Sequence, residues 1–177
     1  MDRWQTTERK IAFDHPWVRM IVDTITRDEI SKQYTFLESP VDSVATVAVT
    51  ADRRIVLTRQ YRHPFESVIY DLPAGRAEPG EQPVASAQRE LEEETGYRPG
   101  KIVPLGRMSP FPGSLKVTMH LFFASELTPG AQRLDEGEEL EVRLRPFDEV
   151  YAEALEGKFI DASLQLGVLL ARAKGLA

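Results

Sequence analysis

The hydrophobic and polar positions of residues 17–72 form short runs that are rich in β-branched and aromatic side chains. This pattern is typical of β-strands. The strands expected from it cover residues 17–27, 32–37, 43–50, 54–61 and 68–72. Residues 51–53 form a turn between the third and fourth of these runs, which indicates a β-hairpin.

Further along the chain the pattern indicates a helix, then more strands, then two more helices. Pro83 suits a first helical turn, good helix formers follow it, and Gly96 suits a C-terminal stop. The later strands are expected over residues 101–106, 117–124 and 140–145, and the closing helices over residues 147–155 and 161–174. This order predicts the α+β class, with a β-sheet flanked by helices.

Composition narrows the class of protein. The length of 177 residues suits one domain with a sizeable core. No apolar run is long enough to span a bilayer, and the N-terminus lacks the apolar core of a secretory signal, so no membrane association is expected. The absence of cysteine excludes disulfides, zinc–thiolate sites and a thiol nucleophile, and it fits a reducing, cytoplasmic location.

The net charge of −6 restricts the partners. A protein with this charge repels nucleic acid, so no nucleic-acid partner is expected. It repels a diphosphate for the same reason. A phosphorylated ligand would therefore require either basic residues or carboxylates that hold a divalent metal ion.

Three glutamates of the first expected helix supply such carboxylates. Glu90, Glu93 and Glu94 are three and four residues apart, so a helix places them on one face, where their like charges repel. Mg²⁺ would reverse the sign of this effect because it prefers oxygen ligands. The glycines of the preceding loop, residues 75–80, let the backbone approach a ligand closely. A metal site for attack on a pyrophosphate is one interpretation, and a solvated acidic helix face is the other.

The segment GRAEPGEQPVASAQRELEEETGY, residues 75–97, resembles the Nudix box. That box consists of Gly, five residues, Glu, seven residues, Arg-Glu, an aliphatic residue, any residue, Glu-Glu, any residue, Gly and an aliphatic residue. The matching positions are Gly75, Glu81, Arg89, Glu90, Leu91, Glu93, Glu94 and Gly96. Tyr97 stands where the box has its last aliphatic residue, which is a mild change at a packing position. The resemblance favours the metal site over a solvated face, and it implies the Nudix fold, a mixed β-sheet sandwiched between α-helices.

The resemblance extends over residues 43–171, and within the family the chain looks most like the ADP-ribose and nucleoside-diphosphate-sugar pyrophosphatases. The similar stretches are the lead-in to the box, an acidic loop and the C-terminal helix, at residues 56–75, 134–142 and 155–171. Two departures weaken the choice of substrate. Asp71 stands where those enzymes usually carry glutamate, and the segment SPFPGSLK lacks an acidic residue that is often present there.

The resemblance also implies a set of metal ligands. Glu90 and Glu94 would bind Mg²⁺, or Mn²⁺, with Glu93 as a further ligand. The backbone carbonyl of Ala74 and the side chain of Glu138 complete the expected set. The metal would neutralise the diphosphate and position or activate the attacking water.

Five residues are expected to act on the substrate or on the metal ligands. Glu136 is the candidate general base, although its acidic loop has the composition of a solvated one. Arg89 would orient neighbouring carboxylates, with a surface ion pair as the alternative. Arg62 is expected to face the site in preference to Arg59. Trp17 would stack on a base, in its own subunit or a partner's, unless it is a core side chain. Pro112 lies near the proline that marks ADP-ribose pyrophosphatases.

The activity that the resemblance implies is Mg²⁺-dependent hydrolysis of a nucleoside diphosphate sugar to a nucleoside monophosphate and a sugar phosphate. ADP-ribose is the first choice of substrate, and UDP-glucose or GDP-mannose are the alternatives. Residues 1–40 are expected to form an N-terminal antiparallel strand region that dimerises, with strands exchanged in a homodimer. Residues 41–177 are expected to form the Nudix hydrolase domain.

Three other functions compete with this one. An RNA-end pyrophosphohydrolase would need a basic surface, which the charge of −6 does not supply. Isopentenyl diphosphate isomerase resembles the chain less, and its usual catalytic cysteine has no counterpart. A non-catalytic sensor domain for nucleotide sugars would be expected to have lost box glutamates, and all of them are present.

Overall fold

The computed structural model describes residues 3–177, so residues 1 and 2 of the expected N-terminal region lie outside it. The described residues form two units. The first unit contains the residues up to Asp42 together with Ser109–Thr118, and the second contains Ser43–Met108 and Met119–Ala177. Residues 109–118 thus belong with the N-terminal strands, although they fall within the range expected for the hydrolase domain.

In chain order the elements are β1 (Gln5–His15), β2 (Val18–Arg27), β3 (Ile30–Glu38), β4 (Ser43–Val49), β5 (Arg54–Arg62), β6 (Ser67–Asp71), β7 (Ala74–Arg76), α1 (Pro83–Thr95), β8 (Arg98–Met108), β9 (Leu115–Lys116), β10 (Met119–Thr128), β11 (Leu140–Pro146), α2 (Phe147–Leu155) and α3 (Ala162–Ala173). A short 3₁₀ helix, His63–Phe65, joins β5 to β6. No helix among residues 3–177 is long and apolar enough to cross a membrane.

The first unit is a four-stranded sheet in the order β1–β2–β3–β9. β1, β2 and β3 form an antiparallel meander, and β9 pairs in parallel with β3. Every residue of β1 is exposed, and its register against β2 shifts twice, as it does at β-bulges. Arg9 joins the two strands because its Nε and Nη2 donate to the carboxylate oxygens of Asp23 at 2.8 and 2.7 Å.

The second unit is built on a mixed sheet in the order β11–β5–β4–β10–β8, with β6 paired to β5 and β7 paired to β4. β4 and β10 run parallel. The other pairs run antiparallel.

Helices cover both faces of this sheet. Strand β4 contacts the helices of both faces because its successive residues point to opposite sides. Val47 packs in one cluster with Val150 of α2 and Val168 of α3. Its neighbour Ala48 packs instead with Leu91 of α1. The predicted α+β class, with a mixed sheet between helices, is confirmed.

The helix boundaries follow the predicted signals. α1 begins at Pro83 and stops before Gly96, whose φ is 76° and whose N–H donates to the carbonyl of Glu92 at 2.8 Å. This left-handed stop is the conformation that glycine adopts most easily. α3 begins after Asp161, whose carboxylate accepts the N–H of Leu164.

Several strands differ from the sequence prediction: β9 (Leu115–Lys116) was not predicted, and β8 extends beyond the expected residues 101–106 at both ends. β1 lies within the expected N-terminal antiparallel strand region, but the pattern of residues gave no strand there, because its side chains are all exposed and no buried face imposes an alternation of apolar residues. β7 has three residues and lies where a loop was expected. The strand expected over residues 117–124 starts at Met119 and continues to Thr128.

Candidate active site

Helix α1 lies against the sheet through buried side chains that also orient its carboxylates. Ala87 and Leu91 are fully buried. Glu90 and Glu94, each three residues further along, lie beside this buried face, and Glu94 is only 6% exposed. The backbone N–H of Ala74 in β7 donates to Oε2 of Glu94 at 2.9 Å. The fold therefore brings a nearly buried carboxylate against β7.

Strand β7 passes so close to α1 that a side chain does not fit at its middle position. A Cβ atom added to Gly75 would overlap the carboxylate of Glu90. Pairing of Gly75 with Val44 of β4 fixes the strand in this place. The φ of Gly75 is not positive. The first glycine of the box-like segment thus makes room for Glu90, and it does not supply a left-handed turn.

The guanidinium of Arg89 holds three carboxylates and one backbone carbonyl. Its Nη1 donates to Oε1 of Glu90 at 2.9 Å and to Oε2 of Glu93 at 3.0 Å. Its Nε and Nη2 donate to the two oxygens of Glu81 at 3.2 and 3.1 Å, and Nη2 also reaches the carbonyl of Arg76 at 3.0 Å. The structure therefore brings Arg89 together with the carboxylates that it was expected to orient.

Glu81 ties the loop before α1 to this cluster. The hydrogen bonds from Arg89 lower the pKa of Glu81 to about 2, and the backbone N–H of Glu78 and the hydroxyl of Ser86 contribute in the same direction. Glu81 is consequently ionised throughout the neutral range. Its position in the box-like pattern has a structural reason, which is to fix Arg89.

The carboxyl groups nearest β7 have raised pKa values, in contrast to Glu81. Burial raises the pKa of Glu94 to about 8; the N–H of Ala74 opposes this effect, and the negative charges of Glu90 and Glu138 add to it. Burial also raises the pKa of Glu90, although Arg89 opposes the shift. Glu90, Glu94 and Glu138 thus lie within electrostatic range of one another, where a cation would stabilise all three as anions.

The donor chemistry of these residues fits a hard divalent cation. Carboxylate oxygens are the ligands that Mg²⁺ prefers, and the repulsion among Glu90, Glu94 and Glu138 is what such an ion would relieve. In residues 3–177, no group of three or more His, Cys, Asp or Glu side chains already has the arrangement of a metal site. One oxygen of Glu90 accepts a hydrogen bond from Arg89, and one oxygen of Glu94 accepts a hydrogen bond from the N–H of Ala74.

Arg62, at the end of β5, pairs with a buried aspartate near these carboxylates. Its charge opposes the raised pKa of Glu94. Its Nε donates at 2.8 Å to Oδ2 of Asp71, which is 3% exposed. Arg59 instead pairs with Glu141 at 3.2 Å. The two arginines therefore have different partners, as their spacing of three along a strand implies.

The loop after β10 is attached to the C-terminal end of α1. The backbone N–H of Arg133 donates to the carbonyl of Glu93 at 2.8 Å. Nε2 of Gln132 donates to the carbonyl of Glu94 at 2.7 Å. We call these two bonds the loop attachment. They hold the residues just before the acidic loop, which carries Glu138, beside the helix that carries the glutamates.

Comparison with known proteins agrees with this arrangement. Residues 40–164, most of the chain, match the family model of the NUDIX domain.

The chain belongs to the Nudix family.

This confirms the family predicted from the box. An ADP-ribose pyrophosphatase of Bacillus subtilis is 41% identical over 102 residues, 56% of this chain and 55% of that protein, so the match spans about half of the relative's length. A methanol dehydrogenase activator of Bacillus methanolicus is 36% identical over 128 residues, 71% of this chain and 69% of that protein.

A solved structure described as an ADP compounds hydrolase has a TM-score of 0.87 to this Nudix chain. It covers 100% of this chain and 98% of its own, at 21% sequence identity. At that identity the likeness concerns the fold alone.

Two predicted site residues of this Nudix protein belong to the first unit, and a third lies on the acidic loop of the second unit. Trp17 is 68% exposed in the turn between β1 and β2, so within its own unit it is not a core side chain. Pro112 lines a cavity of about 320 Å³ in the first unit. Glu136 is exposed on the loop that follows the loop attachment.

Two contacts of the site were not found from the sequence. The ion pair of Arg62 with Asp71 depends on the pairing of β5 with β6. Its one sign in the sequence was that Asp71 stands where the similar enzymes usually carry glutamate. The loop attachment involves backbone carbonyls of α1, which leave no signal in the sequence.

Proposed function

We propose that this chain hydrolyses the diphosphate of a nucleoside diphosphate sugar with the help of a divalent cation, Mg²⁺ in the first place. The observation that carries the proposal is the group of box carboxylates, in which Arg89 holds Glu90 and Glu93 while Glu94 lies nearly buried against β7. ADP-ribose is the proposed substrate. The relatives named ADP-ribose pyrophosphatase, from Bacillus subtilis and Mycobacterium tuberculosis, support that choice.

Glu90, Glu93 and Glu94 would hold the cation, with Glu138 and the backbone carbonyl of Ala74 as further ligands. When bound, the cation neutralises charge on the diphosphate and acts as a Lewis acid. The raised pKa values of Glu90 and Glu94 support this assignment, because burial disfavours their charged forms, repulsion among the carboxylates adds to the shift, and a cation would stabilise the anions.

The other tasks fall to side chains of the protein. Arg89 keeps Glu90 and Glu93 in place, and Arg62 binds a phosphate oxygen. Glu136 accepts a proton from the attacking water, whose oxygen forms a new bond to phosphorus while the bridging P–O bond breaks. The products are a nucleoside monophosphate and a sugar phosphate.

The proposed working form is a homodimer that pairs through the first unit, with Trp17 and Pro112 contributing to the binding of the nucleoside. Exposed apolar residues on β1 support the dimer. Its test is argued below at the scale of the whole molecule. A cytoplasmic location stays a prediction that rests on the absence of cysteine.

A product assay tests the activity. The protein is incubated with Mg²⁺ and, separately, with ADP-ribose, UDP-glucose, GDP-mannose, NADH and a capped RNA, and the products are separated by chromatography. We expect AMP and ribose 5-phosphate from ADP-ribose, and no product in the presence of EDTA. Cleavage of a different sugar nucleotide would replace the substrate and keep the mechanism. Absence of cleavage, with one compound raising the melting temperature, would support a sensor instead.

A further inference from the structure

Asp71 is a buried carboxylate that pairs with the half-exposed Arg62 beside the proposed active site. It is 3% exposed, and its Oδ2 accepts from Nε of Arg62 at 2.8 Å and from Nη2 at 2.5 Å. Nε2 of Gln60 donates to the same oxygen at 3.2 Å. Two nitrogens of one guanidinium are thus fixed on one carboxylate, which leaves the plane of the arginine little freedom to rotate.

The third nitrogen of Arg62 remains available. Within residues 3–177, Nη1 of Arg62 makes no hydrogen bond, and the side chain is 43% exposed. Asp71 ends β6 only three residues before Ala74, whose N–H donates to Glu94 at 2.9 Å, so the Asp71–Arg62 pair lies near the active-site carboxylates. One edge of the guanidinium is therefore held by the protein, and its outer end is open next to the carboxylates.

An arginine without this clamp would have other partners. The carboxylates of Glu90 and Glu94 lie beside Gly75 and Ala74 of β7, and an unrestrained guanidinium would be drawn towards them. It would then compete with a cation for the same oxygens. The clamp by Asp71 holds Arg62 away from that pairing and keeps it directed at an anion, which in this site is the diphosphate.

We propose that Asp71 is a positioning residue, which orients Arg62 so that its outer nitrogen binds the diphosphate of the substrate. This inference rests on the proposed hydrolysis of a nucleoside diphosphate sugar. Asp71 itself does not touch the substrate, and its effect passes entirely through Arg62.

Steady-state kinetics on ADP-ribose with Mg²⁺ tests the proposal in Asp71→Asn, Arg62→Ala and the double variant. Asp71→Asn should raise KM about tenfold or more, because a charge-assisted hydrogen bond is lost, with a smaller change in kcat. In the Arg62→Ala background the same substitution should leave KM unchanged within about twofold. A merely structural role would instead lower the active fraction, and hence kcat, equally in both backgrounds.

Two further variants serve as controls. Asp71→Glu keeps the carboxylate, so its KM should lie within a few-fold of the wild-type value. This measurement tests the proposal even if Asp71→Asn folds poorly. Glu153→Gln removes another two-bond arginine–carboxylate pair of the second unit, in which Arg145 donates at 2.8 and 2.9 Å. It should leave KM unaltered.

The outcomes separate this inference from the proposed function. An unchanged KM in Asp71→Asn, or an equal rise of KM with and without Arg62, would overturn the positioning role while hydrolysis stands. If the wild type binds ADP-ribose without cleaving it, calorimetric Kd values for the same variants replace KM, with the same pattern expected. If the wild type cleaves a different sugar nucleotide, KM is measured on that substrate; if it neither cleaves nor binds any compound of the product assay, both proposals fail.

Discussion

Glu94 is a carboxylate held where water hardly reaches it. It is 6% exposed, and burial raises its pKa from the ordinary value of 4.5 to about 8. A carboxyl group whose pKa is raised in the folded protein does not destabilise the fold at pH values below its pKa in the unfolded chain. The free-energy cost of ionising it in the fold grows as the pH rises above 4.5 and is complete above about 8. Without a bound cation, the protein therefore loses stability over this range.

Glu94→Gln is expected to remove this cost together with most of the activity. In EDTA the variant should be more stable than the wild type at pH 9, by on the order of 3 kcal/mol, and about as stable at pH 4.5. With Mg²⁺, turnover should fall by at least about 100-fold. Thermal unfolding at the two pH values and a turnover assay measure both effects.

The control for this prediction is Glu92→Gln on the same helix. Glu92 pairs with exposed Arg98 at 3.2 Å, outside the carboxylate group, so its variant should show no comparable pH trend. If Glu94→Gln is less stable than the wild type at pH 9, or turns over at a near-normal rate, the assignment of Glu94 is wrong.

Gly75→Ala tests the close approach of β7 to α1. Because the added Cβ would overlap the carboxylate of Glu90, that side chain must move, and the affinity for Mg²⁺ should fall at least about tenfold. Titration of activity with Mg²⁺ measures the change. Gly106→Ala is the matched control, since nothing lies within 4 Å of a Cβ there. Equal Mg²⁺ dependence in the two variants would contradict the steric explanation.

At the scale of elements, the loop attachment decides where the acidic loop begins relative to α1. Both of its bonds end on backbone carbonyls of the last helical turn, at Glu93 and Glu94. Gly96 and Gly130 permit this contact, because a Cβ at Gly96 would lie 2.6 Å from the carbonyl oxygen of Gly130. The positions of Glu136 and Glu138 thus depend on a contact between two elements.

Gln132→Ala should loosen the acidic loop without unfolding the protein. Loss of the bond from Nε2 to the carbonyl of Glu94 should lower kcat about tenfold, while the melting temperature changes by only a few degrees. Hydrogen exchange over residues 134–139 should become faster. Arg133→Ala is the control, because its bond to Glu93 is made by the backbone N–H and survives. Unchanged exchange and kcat in Gln132→Ala would refute the role of the attachment.

Elements with a local signal could be predicted from the sequence, and contacts between elements could not. Pro83 and Gly96 marked the ends of α1, and the spacing of its glutamates along one face followed from helix geometry. The clamp of Arg62 by Asp71 required the register of β5 against β6, which no short segment specifies. β1 escaped prediction because all its side chains are exposed, so burial imposed no pattern on it.

At the scale of the whole molecule, exposed apolar side chains are unevenly distributed. More of them lie in the first unit than in the second, although the first unit is smaller. Those in the first unit are Ile11, Phe13, Trp17, Met20, Ile30, Tyr34, Leu37 and Phe111. Apolar side chains on a sheet with an exposed edge strand are typical of surfaces that pair with another chain. The distribution therefore supports the proposed homodimer.

Light scattering is expected to give about twice the chain mass of 20.0 kDa. Phe13→Asp, on β1, should shift the mass towards one chain because Phe13 is 52% exposed and a carboxylate would be desolvated in the interface. Leu155→Asp is the control, since Leu155 is 63% exposed on α2. Hydrolysis should fall in step with dissociation if Trp17 binds substrate across the interface. A wild-type protein that scatters as a single chain at assay concentration would remove the dimer, and Trp17 would then have to act within its own subunit.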